Sequence, residues 1–155
     1  RQRQYLHALR RMHPQRLVII EGRIQASKPH LRLVKPMPQS PELQMVQVFD
    51  FNEKKTDVNL ASDLITGAWT GSYEQAIICS NDSDFEGALA AVKAHHPKLK
   101  IGIVAPISGK SHRYISGDLT KYADWKKILS VVHVASSQLP MKIPNSNVQK
   151  PTAWY

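Results

Sequence analysis

The chain has 155 residues, of which 42% are apolar and 21% are charged, so it can form a packed core and does not resemble a disordered sequence. Its 21 Lys and Arg residues exceed its 12 acidic residues, and the net charge of +9 suits a polyanionic partner. The single cysteine, Cys79, excludes an intramolecular disulfide and is predicted to be a small buried apolar side chain. No apolar run approaches the roughly 18 residues of a membrane helix, so we expect a cytoplasmic protein that does not bind membranes.

Apolar periodicity alternates between the helical and the extended pattern along the chain. In the first half we predict a helix over 5–12, a buried strand over 17–20, a proline-rich surface loop or edge ribbon over 27–41, a strand over 43–49 and a helix over 57–68. In the second half we predict strands over 75–80, 99–104 and 131–135, helices over 85–95 and 118–129, and a basic loop over 107–117.

This alternation predicts an α/β fold with a mostly parallel sheet and helices on both faces. In such sheets ligands bind beyond the carboxyl ends of the strands. The segments that follow the strands over 75–80 and 99–104 should therefore lie at one edge of the sheet. We expect the functional site at that edge.

An acidic turn, Ser80-Asn81-Asp82-Ser83-Asp84-Phe85, follows directly after the apolar run that ends at Cys79. It places two carboxylates near each other, and two unit charges about 5 Å apart repel by roughly 3 kcal/mol at an effective dielectric constant of about 20. A divalent cation or a shared proton would remove that cost. The alternative is that Asp82 and Asp84 cap the following helix.

Asp57 is the third acidic candidate, and its structural alternative is a carboxylate that stabilises the first turn of its helix. Asp63 lies about 240° further round the same helix, so it cannot share a face with Asp57. Basic residues flank both regions and are candidate phosphate contacts, although solvated surface charge explains them equally well. They are Lys55 before the helix, and Lys110, His112 and Arg113 in the loop.

Two of these segments together resemble the NYN domain family of PIN-like nucleases. Residues 54–64, KKTDVNLASDL, are similar to the family's helix start, and residues 80–85, SNDSDF, are similar to its acidic turn. The resemblance extends over most of the chain and implies a PIN-like Rossmannoid three-layer fold with metal-dependent cleavage of RNA. Asp57, Asp82 and Asp84 match the family's acidic positions, and Ser80 and Asn81 match its polar turn residues.

The chain departs from the family pattern in two places. The family begins with a strand that carries a D-G-x-N-like motif, whose Asp completes the acidic cluster, and nothing in this sequence matches it. Lys55 stands where the family often has Gly. We therefore expect a domain over 1–135 that lacks its first strand, followed by an extended tail over 136–155.

The leading hypothesis is a Mg²⁺- or Mn²⁺-dependent endoribonuclease, in which a metal-activated water attacks the phosphodiester at the acidic cluster. Asp57, Asp82 and Asp84 would hold the cation, and the basic residues and the polar turn would hold RNA. The alternative is an inactive nucleic-acid-binding or protein-interaction module on the same fold. DNA is the alternative polyanion, and a homodimer is a further expectation.

Overall fold

The computed structural model describes residues 2–107 and 113–151 and contains a mixture of helices and strands. The helices are α1 (Gln2–Met12), α2 (Thr56–Trp69), α3 (Glu86–His95), α4 (Gly117–Thr120) and α5 (Val131–Ser136), with a 3₁₀ turn at Ser83–Phe85. The strands are β1 (Arg23–Ser27), β2 (His30–Arg32), β3 (Met45–Gln47), β4 (Asp50–Lys54), β5 (Gln75–Ile78), β6 (Lys100–Ala105) and β7 (Trp125–Ile128).

A three-stranded parallel sheet in the order β5, β6, β7 positions the predicted site. The central strand β6 is the most deeply buried, with Ile101, Ile103 and Ala105 fully covered. Gly102 allows the Trp125 ring of β7 to pack against β6, because a Cβ at this position would lie 2.1 Å from Cζ2 of that ring and would displace it. The expected parallel sheet and its alternation with helices are therefore present, although the other two sheets are antiparallel.

The apolar core lies between this sheet and the helices α2, α3 and α4. Leu89 and Val92 of α3 are fully buried, and so is Leu119 of α4. Leu64 of α2 and Phe85 of the 3₁₀ turn join the same cluster. The acidic turn is thus anchored in the core through its last residue, and full burial of such a side chain contributes roughly 1.5–3 kcal/mol.

A long β-hairpin precedes the parallel sheet. Its pairs β1–β4 and β2–β3 share one continuous register, from Arg23 opposite Lys54 to Arg32 opposite Met45. The backbone N–H of Val48 donates to the carbonyl of Pro29 between the two pairs, at 3.1 Å. The segment predicted as a surface loop or an edge ribbon, 27–41, is divided: its residues up to Arg32 belong to the hairpin, and residues 33–41 belong to no strand and contain only an isolated bridge between Met37 and Ser40. The hairpin begins earlier than predicted and uses residues 45–54 as its second side.

The buried strand predicted over 17–20 is wrong. These residues form no strand, and Val18 is 83% exposed. Four β-branched and apolar residues favour the extended conformation, but a strand also needs a neighbour for its N–H and C=O groups. Here the segment connects α1 to the hairpin without such a neighbour among the described residues.

The helix predicted over 118–129 is also wrong, because α4 ends at Thr120 and residues 125–128 form β7. The backbone N–H of Asp124 donates to the carbonyl of Ile101 at 2.8 Å, and Trp125 covers Gly102. Apolar residues at 119, 122, 125 and 129 fit a helical stripe, but this long-range pairing outweighs the local periodicity.

The final strand predicted over 131–135 is the helix α5 instead. Ser130 and His133 form a reciprocal capping box, in which the Ser130 side chain accepts from the His133 N–H at 3.3 Å and His133 Nδ1 accepts from the Ser130 N–H at 3.1 Å. This cap starts the helix despite its β-branched residues.

The burial predicted for Cys79 is wrong as well. Its side chain is exposed, because β5 ends at Ile78 and Cys79 begins the turn. Among the described residues no helix combines the length and the apolar character needed to cross a membrane.

Candidate active site

The acidic turn lies at the carboxyl end of β5, and short local hydrogen bonds fix its backbone. Ser80 Oγ accepts from the N–H of Asp82 at 3.1 Å, and Asp82 Oδ1 accepts from the N–H of Asp84 at 3.1 Å. One oxygen of Asp82 therefore caps the 3₁₀ turn at Ser83–Phe85, as the capping alternative predicted. Both Asp82 and Asp84 are exposed, and neither forms an ion pair with a described residue.

Asn81 connects this turn to the segment that precedes α4. Its amide nitrogen donates to the carbonyl of Tyr114 at 3.1 Å, and its amide oxygen accepts from the N–H of Ser116 at 2.8 Å. Both ends of the amide are used in this contact, so Asn81 holds the two segments together. Its predicted contact with nucleic acid stays a prediction.

Asp57 lies in the first turn of α2, and its carboxylate is not the cap of that helix. Glu53 Oε1 instead accepts from the backbone N–H of Thr56 at 3.2 Å and also from its hydroxyl. The N-cap residue Lys55 makes no side-chain capping bond and adopts a left-handed conformation with φ 80°. Glu53 was not predicted, since it lies on β4, before the helix. Asp57 consequently remains available for another partner.

An open cleft of about 610 Å³ lies against the acidic turn. Residues of the turn form one wall, and the segment after β6 forms the other, so the carboxyl ends of β5 and β6 meet as predicted. The cleft is lined by Ser80, Asn81, Asp82, Ser83, Pro106, Ile107 and Arg113. Arg113 is the predicted basic residue that the structure places here, whereas Lys110 and His112 lie outside the described residues.

The chemistry of the donor set fits a hard divalent cation, since carboxylate oxygens are the ligands that Mg²⁺ and Mn²⁺ prefer. Within residues 2–107 and 113–151, however, no three His, Cys, Asp or Glu side chains are close enough together to hold a metal ion. Asp82 and Asp84 share one turn, and Asp57 begins a separate helix. The described residues therefore provide carboxylate ligands but not a closed three-carboxylate site.

One edge of the parallel sheet has no neighbouring strand among the described residues. Among the strands that the structure describes, β5 pairs only with β6, and Ile77 on β5 is 60% exposed. A groove of about 340 Å³ runs between this edge and α2, with Leu60 and Asp63 of α2 among its lining residues. Apolar side chains of α2 are also uncovered, including Val58 at 68% exposure. This edge has the geometry to accept one more strand.

The structure is thus an α/β domain with an acidic turn beyond the carboxyl end of a parallel strand and a cleft that Asp82 and Arg113 both line. The NYN domain family matches residues 6–129, so the chain belongs to this family, whose members are generally nucleases. This confirms the resemblance seen in the sequence.

A curated protein from Pseudomonas putida (strain DSM 28022 / S16) is 36% identical over 159 residues, and it is named 6-hydroxy-3-succinoylpyridine 3-monooxygenase HspA. The match covers 99% of this chain and 50% of that protein, so the chain spans about half the length of this relative. The chain matches no solved structure at a significant level.

Proposed function

We propose that the chain is the catalytic part of a Mg²⁺- or Mn²⁺-dependent endoribonuclease. The observation that carries the proposal is the acidic turn, because its backbone is fixed, Asp82 lines the cleft, and neither Asp82 nor Asp84 forms an ion pair with a described residue. Asp57, Asp82 and Asp84 would hold the cation, some of them through water because they do not form a closed three-carboxylate site, and the bound cation would activate water and offset charge on the phosphate.

The other residues at the cleft would act on the RNA itself. Arg113 lines the cleft and would pair with a phosphate through its planar guanidinium group, which matches that geometry. Lys55 precedes Asp57 by two residues and would neutralise a neighbouring phosphate. Asn81 would act by positioning, since its amide keeps the turn and the Tyr114–Ser116 segment together.

The PIN-like three-layer fold is part of the proposal. The free edge of β5 and the uncovered side chains of α2 fit an additional parallel strand, supplied by a segment that precedes Arg1. A carboxylate at the carboxyl end of that strand would lie beside the acidic turn and complete the metal site. Within this sequence the domain would extend over 1–135, without that first strand, and 136–155 would be a tail.

Cleavage of a labelled RNA in Mn²⁺ tests the proposal, with and without chelator. Asp82→Asn, Asp84→Asn and Asp57→Asn should each lower the rate about 100-fold or more, because even outer-sphere partners of a metal are worth about 10- to 100-fold. Glu42→Gln is the control, since it removes one carboxylate charge at an exposed position in the turn before β3. Cleavage that persists in chelator and in Asp82→Asn would refute a metal-dependent nuclease.

The same RNA assays distinguish a nuclease from the inactive nucleic-acid-binding module. Binding of RNA with no cleavage in any divalent cation, by protein that contains the completing strand, would favour the inactive nucleic-acid-binding module. DNA of the same sequence, measured in parallel, decides which polyanion is preferred. Cytoplasmic location and a homodimer belong to the same proposal and need fractionation and sedimentation measurements.

A second candidate function follows from the relative and from a different cavity. An apolar cavity of about 490 Å³ lies between α1, α5 and the tail, and Tyr5, His13 and His133 are among its lining residues. Since His133 Nδ1 accepts from Ser130, the neutral ring carries its proton on Nε2 and can donate to a ligand. The candidate is an oxygenase component that binds a hydroxypyridine. Calorimetric titration with 6-hydroxy-3-succinoylpyridine tests it, with Tyr5→Ala as the variant expected to weaken binding, and absence of heat would exclude it.

A further inference from the structure

The two faces of the β-hairpin differ in exposure. Side chains alternate between faces along each strand, and residues opposite each other share a face. On one face several positions are half-buried, namely Ser27, Leu33, Val46, Val48 and Asp50. On the other face, which we call the outer face, every position is exposed; it comprises Ile24, Ala26, Lys28, His30, Arg32, Met45, Gln47, Phe49, Phe51 and Glu53.

The outer face combines aromatic rings with cations. Phe49 is 72% exposed and Phe51 is 68% exposed, although large aromatic side chains are normally covered in a folded protein. Lys28 Nζ lies 4.8 Å from the centroid of the Phe49 ring. Arg32 also lies on the outer face. The only acidic residue of this face is Glu53, which lies at the end of the hairpin next to α2.

We propose that the outer face binds single-stranded RNA, with Phe49 and Phe51 stacking on bases and Lys28 and Arg32 contacting phosphates. Aromatic rings interleaved with cations on an open β-surface provide what an unpaired strand requires, since every base has a face that can stack and every linkage carries a negative charge. A two-fold dimer with its axis near the middle of this face, at His30, would place Lys28 and Arg32 of the two copies near each other, which disfavours that mode of self-association.

This inference rests on the proposed function, because the hairpin would bind the same RNA that the acidic site cleaves. Binding and cleavage are therefore measured separately. Binding uses a fluorescent single-stranded RNA in the presence of chelator, read by anisotropy over a range of salt concentrations, and cleavage uses the same RNA with Mn²⁺. Loss of cleavage with intact, hairpin-dependent binding would refute only the nuclease.

Phe49→Leu/Phe51→Leu should raise the Kd about 30-fold, because stacking on an aromatic ring is worth about 1–3 kcal/mol per base. Phe49→Tyr/Phe51→Tyr is the matched variant and should stay within about 3-fold of wild type, since the rings remain. All four changes are at exposed positions, and circular dichroism verifies the fold. Equal binding by the wild type and the Leu variant, or equal loss in both variants, would overturn the proposal.

Lys28→Gln/Arg32→Gln should lower the salt dependence, reducing the slope of log K against log salt by about 1.4, since each phosphate contact in a single strand contributes about 0.7. Lys126→Gln/Lys127→Gln removes the same charge from β7 and should leave the slope unchanged. A slope that falls equally in both pairs would mean that only net charge matters. Sedimentation showing that the hairpin instead joins two copies, with dimerisation lost in the Leu variant and RNA affinity retained, would also overturn the proposal.

Discussion

Lys55 occupies a backbone conformation that favours glycine, and replacing it should stabilise the fold. Its φ is 80° and its ψ is −20°, in the left-handed region where a Cβ approaches the following carbonyl oxygen. That conformation costs a residue with a side chain roughly 1–2 kcal/mol. Glycine removes this cost but adds about 0.4–1 kcal/mol of conformational entropy to the unfolded chain. Lys55→Gly should therefore raise the free energy of unfolding by about 0.5–1 kcal/mol.

Chemical denaturation of the wild type, Lys55→Gly and Lys55→Ala measures this effect. The Ala variant removes the same positive charge from the N-terminus of α2, where the helix dipole disfavours cations, but it keeps the Cβ. The difference between the Gly and Ala variants therefore isolates the backbone contribution. Equal gains in both variants would assign the effect to charge, and a destabilised Gly variant would refute the conformational reasoning altogether.

The same substitution should weaken the proposed function. Lys55 lies two residues from Asp57 and is expected to contact a phosphate, so the Gly and Ala variants should lower RNA affinity by the same amount. The stabilised Gly variant would then be the poorer RNA binder. Such an exchange of stability for binding is common where a residue with an unfavourable conformation contributes to function.

Three further substitutions test the fold that carries the site. Leu89→Ala should cost about 3–4 kcal/mol by denaturation, because the side chain is fully buried in the core. Gly102→Ala should destabilise by displacing Trp125, visible as a shift in tryptophan fluorescence that Gly117→Ala, in open space, should not cause. Hydrogen bonds from Lys93 and from the backbone N–H of Ile101 lower the pKa of Asp124 in the folded protein. The ionised Asp124 therefore stabilises the fold above about pH 4, and this stabilisation is lost as the pH falls further. In Asp124→Asn the free energy of unfolding should consequently depend less on pH in the acid range.

The elements predicted correctly are those whose periodicity is local and whose ends carry clear stop residues. Helices α1, α2 and α3 and strands β5 and β6 fall within a few residues of their predicted ranges. The acidic turn was also predictable, because an apolar run followed by polar turn residues places it at the end of a strand. The cleft next to the turn was predictable only from the general rule that ligand sites lie at the carboxyl edge of a parallel sheet.

The elements predicted wrongly depend on partners distant in sequence. Strand β7 exists because Asp124 bonds to Ile101 and Trp125 covers Gly102, and neither contact is visible as a local pattern. The hairpin likewise depends on the pairing of residues 23–32 with 45–54, a register that continues past Pro29 although no strand is assigned there. The contact of Asn81 with residues 114 and 116 spans more than thirty positions, so no spacing rule indicates it.

Capping and metal binding, the two interpretations of the acidic turn, are compatible. One oxygen of Asp82 accepts the N–H of Asp84, while its second oxygen and the carboxylate of Asp84 have no hydrogen-bond partner among the described residues. The cap fixes the Asp82 side chain, so less conformational entropy is lost when it binds a cation. Asn can accept the same hydrogen bond through its amide oxygen. Asp82→Asn therefore keeps the turn and removes the charge, whereas an alanine variant would remove both and could not separate the two roles.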